Sequence, residues 1–335
     1  MNSELLEMVY RDPDVYKIYV PLPDNPLKNL NCYVIKTPEK NLIIDTGFNR
    51  PECKAALLAG LKELGISMDN TEIYATHVHS DHTGLIGEIM QPDTVVYMSG
   101  PDWEHMRSYS VAVPQGWNTW EAKMRSEGFP QRELDIASQT NPAKNFANSK
   151  PFVPQVVEDG QIISVGPYRL QVVLVPGHTP GNTCLYLADK KLLFCGDHIL
   201  FDITPNITAW PGMTDALGSY LESLKKVRQL DIETALPAHR KNDMDVYERI
   251  DALLLHHQNR LQNTIDTLRQ FPGSTAYDVA SHLTWSMRGK DWTEFPVHQK
   301  WFAVGETLSH LDYLILRNQV EKYLDESGLY RYRLL

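Results

Sequence analysis

The segment 76–84 reads THVHSDHTG, and it decides how the rest of the chain is interpreted. A short apolar run precedes it and predicts a β-strand that ends directly at His77. In an extended loop alternate residues point to the same side, so His77 and His79 are placed to bind one ion together. Asp81 and His82 lie further along and are placed to face a second ion. Four potential ligands within six residues, directly after a strand, indicate a metal site rather than unrelated surface histidines.

Four other segments repeat this pattern of an apolar strand followed at once by a residue that can bind a metal. They end at Asp45, His178, Asp197 and His239. Strand ends in an open α/β domain lie along one rim, where such domains place their sites, so we expect these side chains to converge. Imidazole and carboxylate ligands suit zinc, manganese or iron, and no thiolate is required.

Strands alternate with helical patterns along the chain, which predicts the α/β class. The H-x-H-x-D-H motif at 77–82 is followed in order by PGHTPG at 176–181, GD at 196–197 and AH at 238–239. As a set these motifs resemble the metallo-β-lactamase superfamily, over a stretch from about residue 16 to residue 240. The resemblance implies a four-layer αββα sandwich with a dinuclear site at one edge.

The resemblance also implies which side chains bind each ion. The first ion would be bound by His77, His79 and His178. The second ion would be bound by Asp81, His82 and His239. Asp197 would bridge the two ions, and Asp45 would accept a hydrogen bond from a ligand histidine and fix its orientation. The implied cofactor is a pair of zinc ions, with Mn²⁺ or Fe²⁺ as alternatives.

Two cations about 3.5–4 Å apart can activate a water molecule between them. We therefore predict a hydrolase in which a metal-bridging hydroxide attacks an ester-like carbonyl, such as a thioester or a lactone. Asp81 and Asp197 are the candidate catalytic residues. His79 stands where flavodiiron oxygen reductases have glutamate, which argues against oxygen reduction. Glyoxalase II shares the ligand set, but the segment 201–211, FDITPNITAWP, lacks that enzyme's basic glutathione-binding residues.

A metallo-endonuclease acting on RNA or single-stranded DNA is the alternative function. The sequence divides into three regions: a catalytic domain at 1–244, an amphipathic linker helix at 245–271, and a helix–helix–hairpin tail at 272–335. The tail resembles a winged helix, a fold that often binds nucleic acid. From residue 271 onward the chain has seven Lys or Arg against eight Asp or Glu. A neutral module lacks the charge expected of a phosphate binder. We expect the tail to serve packing, homodimerisation or pocket closure, with a small molecule as substrate and no nucleic-acid partner.

An insertion at about 102–150 is polar and interrupted, yet it is rich in large apolar side chains. These are Trp103, Met106, Tyr109, Trp117, Trp120, Met124 and Phe129. They either pack the insertion onto the domain or line a substrate pocket. The candidate pocket residues are Trp103, Trp117 and Trp120, together with His198 beside Asp197.

The net charge of −10 argues against a protein that coats nucleic acid or an anionic membrane. The first residues are polar and acidic, and no apolar run has the length needed to cross a bilayer. Four cysteines occur without a C-x-x-C pair, which predicts buried free thiols in a reducing compartment. Together these features predict a cytoplasmic protein.

Overall fold

A seven-stranded sheet carries the first half of the chain in the computed structural model, which describes residues 5–108, 114–285 and 291–335. Its strands, in their order across the sheet, are β1 (Leu6–Tyr10), β2 (Asp14–Pro21), β3 (Asn29–Lys36), β4 (Asn41–Ile44), β5 (Thr71–Tyr74), β6 (Val96–Ser99) and β7 (Gln155–Val157). The strands from β1 to β4 pair antiparallel. The strands from β4 to β7 pair parallel. The carboxyl ends of β4 and β5 therefore meet at one edge, and the chain continues there into Asp45 and His77.

A five-stranded sheet faces the first. Its strands are β8 (Ile162–Val165), β9 (Tyr168–Leu174), β10 (Thr183–Leu187), β11 (Leu192–Gly196) and β12 (Thr234–Pro237), and they are arranged in the order 12-11-10-9-8. The strands β11 and β12 are parallel, so Asp197 and His239 follow two neighbouring strand ends. His178 lies in the loop between β9 and β10.

Helices cover the outer faces of both sheets. The first sheet is covered by α1 (Pro51–Glu63) and α3 (Ile86–Ile89), and the second by α8 (Ala216–Val227) and α9 (Val246–Gln270). The short helix α2 (Ser80–Thr83) lies between α1 and α3 in the chain. Between the sheets lies a third core that includes Ile44, Tyr74 and Phe194. The predicted four-layer αββα sandwich of the α/β class is thus confirmed.

The insertion is helical and contains α4 (Gly100–Ser108), α5 (Pro114–Ser126), α6 (Gln131–Thr140) and α7 (Pro142–Asn145) among the described residues. Tyr109 lies outside those residues. The tail contains α10 (Ala276–His282), α11 (Val297–Leu316), β13 (Val320–Leu324) and β14 (Tyr330–Leu334). Thr275 and Asp278 form a capping box at the start of α10. Helix α11 begins directly after Pro296.

The insertion and the tail share one hydrophobic core. Met124, Phe129 and Leu134 of the insertion pack with Val304 and Leu308 of α11. Contacts between polar side chains reinforce this packing. The carboxylate of Glu127 is fully buried, and it accepts hydrogen bonds from the Tyr332 hydroxyl and from Lys322 Nζ, each at 2.6 Å. Glu133 accepts from Lys300 Nζ at 2.5 Å and from the Tyr277 hydroxyl at 2.9 Å.

All four cysteines are buried and free, as predicted. Among the helices of the described residues, none is both long and apolar enough to cross a membrane.

Lys322→Ala removes one of the two partners of the buried Glu127 carboxylate. We expect it to lower the free energy of unfolding by about 1–3 kcal/mol, the usual cost of depriving a buried polar group of its partner. Arg333→Ala is the matched control on the same hairpin, because the side chains of both Arg333 and its ion-pair partner Glu321 are largely exposed. That variant should stay within about 0.5 kcal/mol of the unmodified protein. Urea unfolding measures both, and equal stabilities would contradict the role of this ion pair.

Candidate metal centre

The first group of candidate ligands converges on one point at the sheet edge. His79 Nδ1 lies 2.9 Å from His77 Nε2 and 3.1 Å from His178 Nε2. Asp197 Oδ2 is 3.6 Å from His178 Nε2. The four ligand atoms all lie within 4.8 Å of one another, so a single ion placed among them can reach each atom.

The second group lies beside the first and consists of Asp81, His82 and His239. Asp81 Oδ2 is 3.4 Å from His239 Nε2 and 3.8 Å from His82 Nε2. The short helix α2 turns the chain so that Asp81 and His82 reach this group. Gly84 ends that turn in a crowded place, because a Cβ atom there would lie 2.6 Å from the backbone nitrogen of Asn49.

Asp197 lies between the two groups. Its Oδ2 faces His178 of the first group, whereas its Oδ1 lies 3.4 Å from His239 Nε2 and 3.7 Å from His82 Nε2 of the second. One carboxylate thus presents an oxygen to each group, which is the arrangement a ligand shared by two cations needs.

Several inward-facing atoms of this cluster have no hydrogen-bond partner among the described residues. They are His82 Nε2, His239 Nε2 and Asp197 Oδ1, and all three are buried. Buried polar atoms in folded proteins are normally satisfied, so unsatisfied atoms aimed at a common point fit a bound cation. Imidazoles and carboxylates are the donors that zinc, manganese and iron accept. The residues present therefore fit a pair of such ions.

Hydrogen bonds on the far side of three rings fix their orientation. His82 Nδ1 lies 2.7 Å from Asp45 Oδ2. His178 Nδ1 donates to the carbonyl oxygen of Asn206 at 2.9 Å, and His239 Nδ1 donates to that of Asn29 at 2.8 Å. When Nδ1 carries the proton, Nε2 keeps its lone pair and is free to bind a metal.

Asp45 connects β4 to the histidine segment. Its Oδ1 accepts the backbone N–H of Thr76, and its Oδ2 accepts the Thr76 hydroxyl, each at 2.8 Å. The residue has a φ of 61°, a left-handed backbone that a non-glycine residue adopts at some cost. These hydrogen bonds and the contact with His82 offset that cost and hold the carboxylate in place.

The surroundings of the candidate ligands shift the pKa values of two histidines of the first group and of Asp81 of the second. Burial lowers the pKa of His77 well below its usual value, and burial lowers the pKa of His79 to about 3. These rings are therefore neutral near pH 7, which is the form that binds a metal. Burial alone would raise the pKa of Asp81, but His82 and His239 outweigh it and lower that pKa to about 2. The Asp81 carboxylate is thus ionised and available to a cation.

Asp102 belongs to the site as well, although the sequence marked it only as the start of the insertion. Its buried carboxylate accepts the N–H groups of Val78 and Gly181 at 2.9 and 2.6 Å, and the Thr179 hydroxyl at 2.6 Å. It therefore joins the loop that carries His77 and His79 to the loop that carries His178. Burial raises the pKa of Asp102 to about 6, and these three hydrogen bonds oppose that rise.

Trp210 is a second residue that sequence reasoning missed. Its indole N–H donates to the carbonyl oxygen of His178 at 2.7 Å. The ring lies 5.6 Å from that of His79 and 4.6 Å from that of His105, measured between ring centroids. The only signal in the sequence was a lone tryptophan in the apolar segment 201–211.

The four residues suggested for a substrate pocket lie in different surroundings. Trp103 packs against Phe152, and Trp120 is almost fully buried against Trp301 of the tail. The contacts of these two tryptophans are those of side chains that pack the insertion onto its neighbours. Trp117 is half-buried beneath the Lys144 ammonium. His198 is fully buried, and its ring packs against Tyr220.

Residues 26–239 match the family model of the metallo-beta-lactamase superfamily. This chain belongs to the metallo-beta-lactamase superfamily. Residues 292–335 match a second family model, described as the metallo-beta-lactamase-like C-terminal domain. The expectation of a metal-dependent hydrolase agrees with this membership, and the tail is one that occurs with this fold.

Two curated relatives and one solved structure illustrate the superfamily. Lactamase-like protein nscB of Aspergillus fumigatus is 25% identical over 245 residues, which cover 72% of this chain and 57% of that protein. Atrochrysone carboxyl ACP thioesterase of Emericella nidulans is 25% identical over 236 residues, which cover 70% of this chain and 58% of that protein. The chain thus spans little more than half the length of these relatives. The crystal structure of a metallo-beta-lactamase family protein from Thermus thermophilus is 26% identical, has a TM-score of 0.81, and covers 96% of this chain and 98% of its own.

Asp197→Ala should weaken the binding of both ions together, because each group of this metallo-beta-lactamase-fold site loses an oxygen ligand. The unmodified protein should hold about two ions per chain, since seven ligands exceed the four of one tetrahedral zinc. Asp81→Ala is the matched control and should weaken only the second group. Metal analysis after dialysis against graded chelator separates these outcomes. Selective loss of one ion from Asp197→Ala would contradict the bridging position.

Asp45→Ala should leave every ligand in place but weaken metal binding by about 10–100-fold, the usual effect of losing a group that orients a ligand. The reason is that His82 loses the acceptor of its Nδ1–H. Asp189→Ala removes an exposed aspartate from a distant turn and should bind metal normally. Chelator competition measures both variants, and unchanged affinity in Asp45→Ala would show that Asp45 serves only the turn.

Proposed function

We propose that this chain is a dinuclear metal-dependent hydrolase of thioesters and related ester-like substrates, with zinc as the metal. The observation that carries this proposal is the position of Asp197, which turns one carboxylate oxygen to each of two groups of ligands. A mononuclear or purely structural ion has no need of a second group.

The side chains of the protein hold and orient the reacting groups. His77, His79 and His178 would hold one ion, and Asp81, His82 and His239 would hold the other. When bound, the two ions would supply an activated water and stabilise the negative charge that develops on the carbonyl oxygen. Asp197 is ionised because three histidines outweigh its burial and lower its pKa, so it can serve both ions. Asp81 and Asp197 are the proposed catalytic residues.

A thioester is favoured over other carbonyl substrates because the relative from Emericella nidulans is named atrochrysone carboxyl ACP thioesterase. The aromatic ring of Trp210 beside His79 supports an apolar acyl group. Such a ring can hold the acyl chain next to the ions while its carbonyl is attacked. Trp117 as a substrate-pocket residue stays a prediction from the sequence.

The phosphodiesterase alternative finds little support in the charges of the tail. The three cations of the hairpin are each paired with a carboxylate: Lys322 with Glu127, Arg331 with Asp325, and Arg333 with Glu321. Cations that are already paired release few counterions on binding a phosphate backbone. We therefore propose a small-molecule substrate and no nucleic-acid partner. A cytoplasmic location and a homodimer stay predictions from the sequence.

A panel of substrates tests the proposal directly. The zinc-loaded protein is given an aromatic acyl thioester, a short aliphatic thioester, a lactone and a single-stranded RNA, with Asp197→Ala as the inactive control. We expect the aromatic thioester to be hydrolysed fastest, at least about 100-fold faster than by the control, because that variant lacks the carboxylate that would hold both water-activating ions. RNA cleavage with thioester rates at the level of the control would replace this proposal with the nuclease alternative.

A further inference from the structure

One loop joins the metal centre to the tail. We call the segment 203–211 the support loop; it lies between β11 and α8. It contacts His178 twice, because Asn206 accepts the imidazole Nδ1–H through its carbonyl oxygen at 2.9 Å and Trp210 donates to the His178 carbonyl at 2.7 Å. The orientation of this candidate ligand therefore depends on where the support loop lies.

Helix α11 of the tail forms two hydrogen bonds with the backbone of the support loop. The N–H of Ala209 donates to the carbonyl oxygen of Gly305 at 3.3 Å, and the Ser309 hydroxyl donates to that of Ile207 at 2.5 Å. Gly305 permits this approach, because a Cβ atom at that position would collide with the hydroxyl of Thr208. The loop has no regular secondary structure of its own, so its path depends on contacts with neighbouring elements. Besides α11, these include Lys123 of the insertion, which donates to the carbonyl oxygen of Ala209 at 3.1 Å, and Arg249 of α9, which donates to that of Ile203 at 2.8 Å.

Glu306 is the residue of α11 that reaches Asn206 through a side chain. The amide nitrogen of Asn206 donates to Glu306 Oε2 at 3.2 Å and to the carbonyl oxygen of Phe302 at 3.2 Å. Glu306 is 7% exposed, so this contact is shielded from solvent and from competing water. A buried hydrogen bond to a carboxylate is stronger than a neutral one and holds the amide in a single orientation.

The carboxylate of Glu306 is itself held from the linker helix. Arg260 Nε of α9 lies 3.6 Å from Glu306 Oε1. The Arg260 guanidinium lies 4.1 Å from the ring centroid of Trp285, and it donates to the carbonyl oxygen of Thr284 at 2.8 Å. A continuous chain of contacts thus runs from the tail and the linker helix to a ligand of the first group.

We propose that Glu306 is a positioning residue of the metal centre, which acts on His178 through Asn206. This inference rests on the proposed function, since it requires ions at the candidate ligands. It assigns a specific role to the tail, because α11 fixes the support loop and thereby the first group of ligands. Such a role needs neither nucleic-acid binding nor a partner protein.

Glu306→Ala tests the proposal by stepwise chelator competition, which resolves the affinities of the two ions. We expect one ion to be bound about 3–10-fold more weakly, less than the 10–100-fold that follows loss of a direct contact with a ligand. The other ion should be bound as before. Glu306→Gln keeps an oxygen that can accept from Asn206 and should restore most of the affinity. The absorption spectrum of the cobalt-substituted protein should change in Glu306→Ala and recover in Glu306→Gln.

Glu133→Ala is the matched control. Like Glu306→Ala it removes a carboxylate that is paired with a cation, in this case Lys300 of α11. Among the described residues, Glu133 makes no hydrogen bond or ion pair with the support loop. If Glu306 matters only for tail packing, the two variants will lose similar thermal stability without metal and will bind both ions normally. That result would overturn the inference and leave the proposed function intact.

Asn206→Ala gives an independent route that does not depend on removing a buried charge. Asn206→Ala should lower the affinity for that ion by the same factor as Glu306→Ala. The double variant should bind the ion as tightly as either single variant, because both substitutions remove the same contact. Additive effects would overturn the inference. An unmodified protein that binds no ion after reloading would overturn both the inference and the proposed function.

Discussion

The buried carboxylate of Asp197 has to meet ligands that come from both sheets. His82 follows β5 of the seven-stranded sheet, whereas His178 and His239 follow strands of the five-stranded sheet. All three lie within 3.7 Å of one or other oxygen of this carboxylate. A displacement of one sheet against the other by an ångström would separate them. The core between the sheets, with Tyr74 and Phe194 fully buried, is what fixes their relative position.

A cluster of buried carboxylates and imidazoles is expensive unless its charges are paired or bind a metal. Hydrogen bonds within the protein stabilise part of this cluster before any ion is bound. Asp45 and Asp102 each accept three hydrogen bonds from the loops that carry the ligands. Because these contacts hold the ligands in place in advance, less ordering is needed when a cation binds.

The insertion and the tail are distant in sequence but form one body beside the site. Their shared core and the buried Glu127 tie α5 to the hairpin of the tail. Through Glu306 and the support loop, the same body reaches His178. These contacts are the basis of the proposal that the tail supports the metal centre.

Local sequence was enough to find the fold class and every candidate ligand, because each ligand follows an apolar strand and each motif lies within a few residues. It also predicted the hairpin of the tail, β13 and β14, since a hairpin depends on neighbouring residues. Only the tertiary structure decided that Asp102 joins two ligand loops, that Trp120 packs on the tail, and that Glu306 reaches Asn206. The Asp102–Thr179 and Glu306–Asn206 contacts join residues 77 and 100 positions apart. A hydrogen bond between such residues depends on where packing places two separate elements, and no pattern of neighbouring residues encodes that distance.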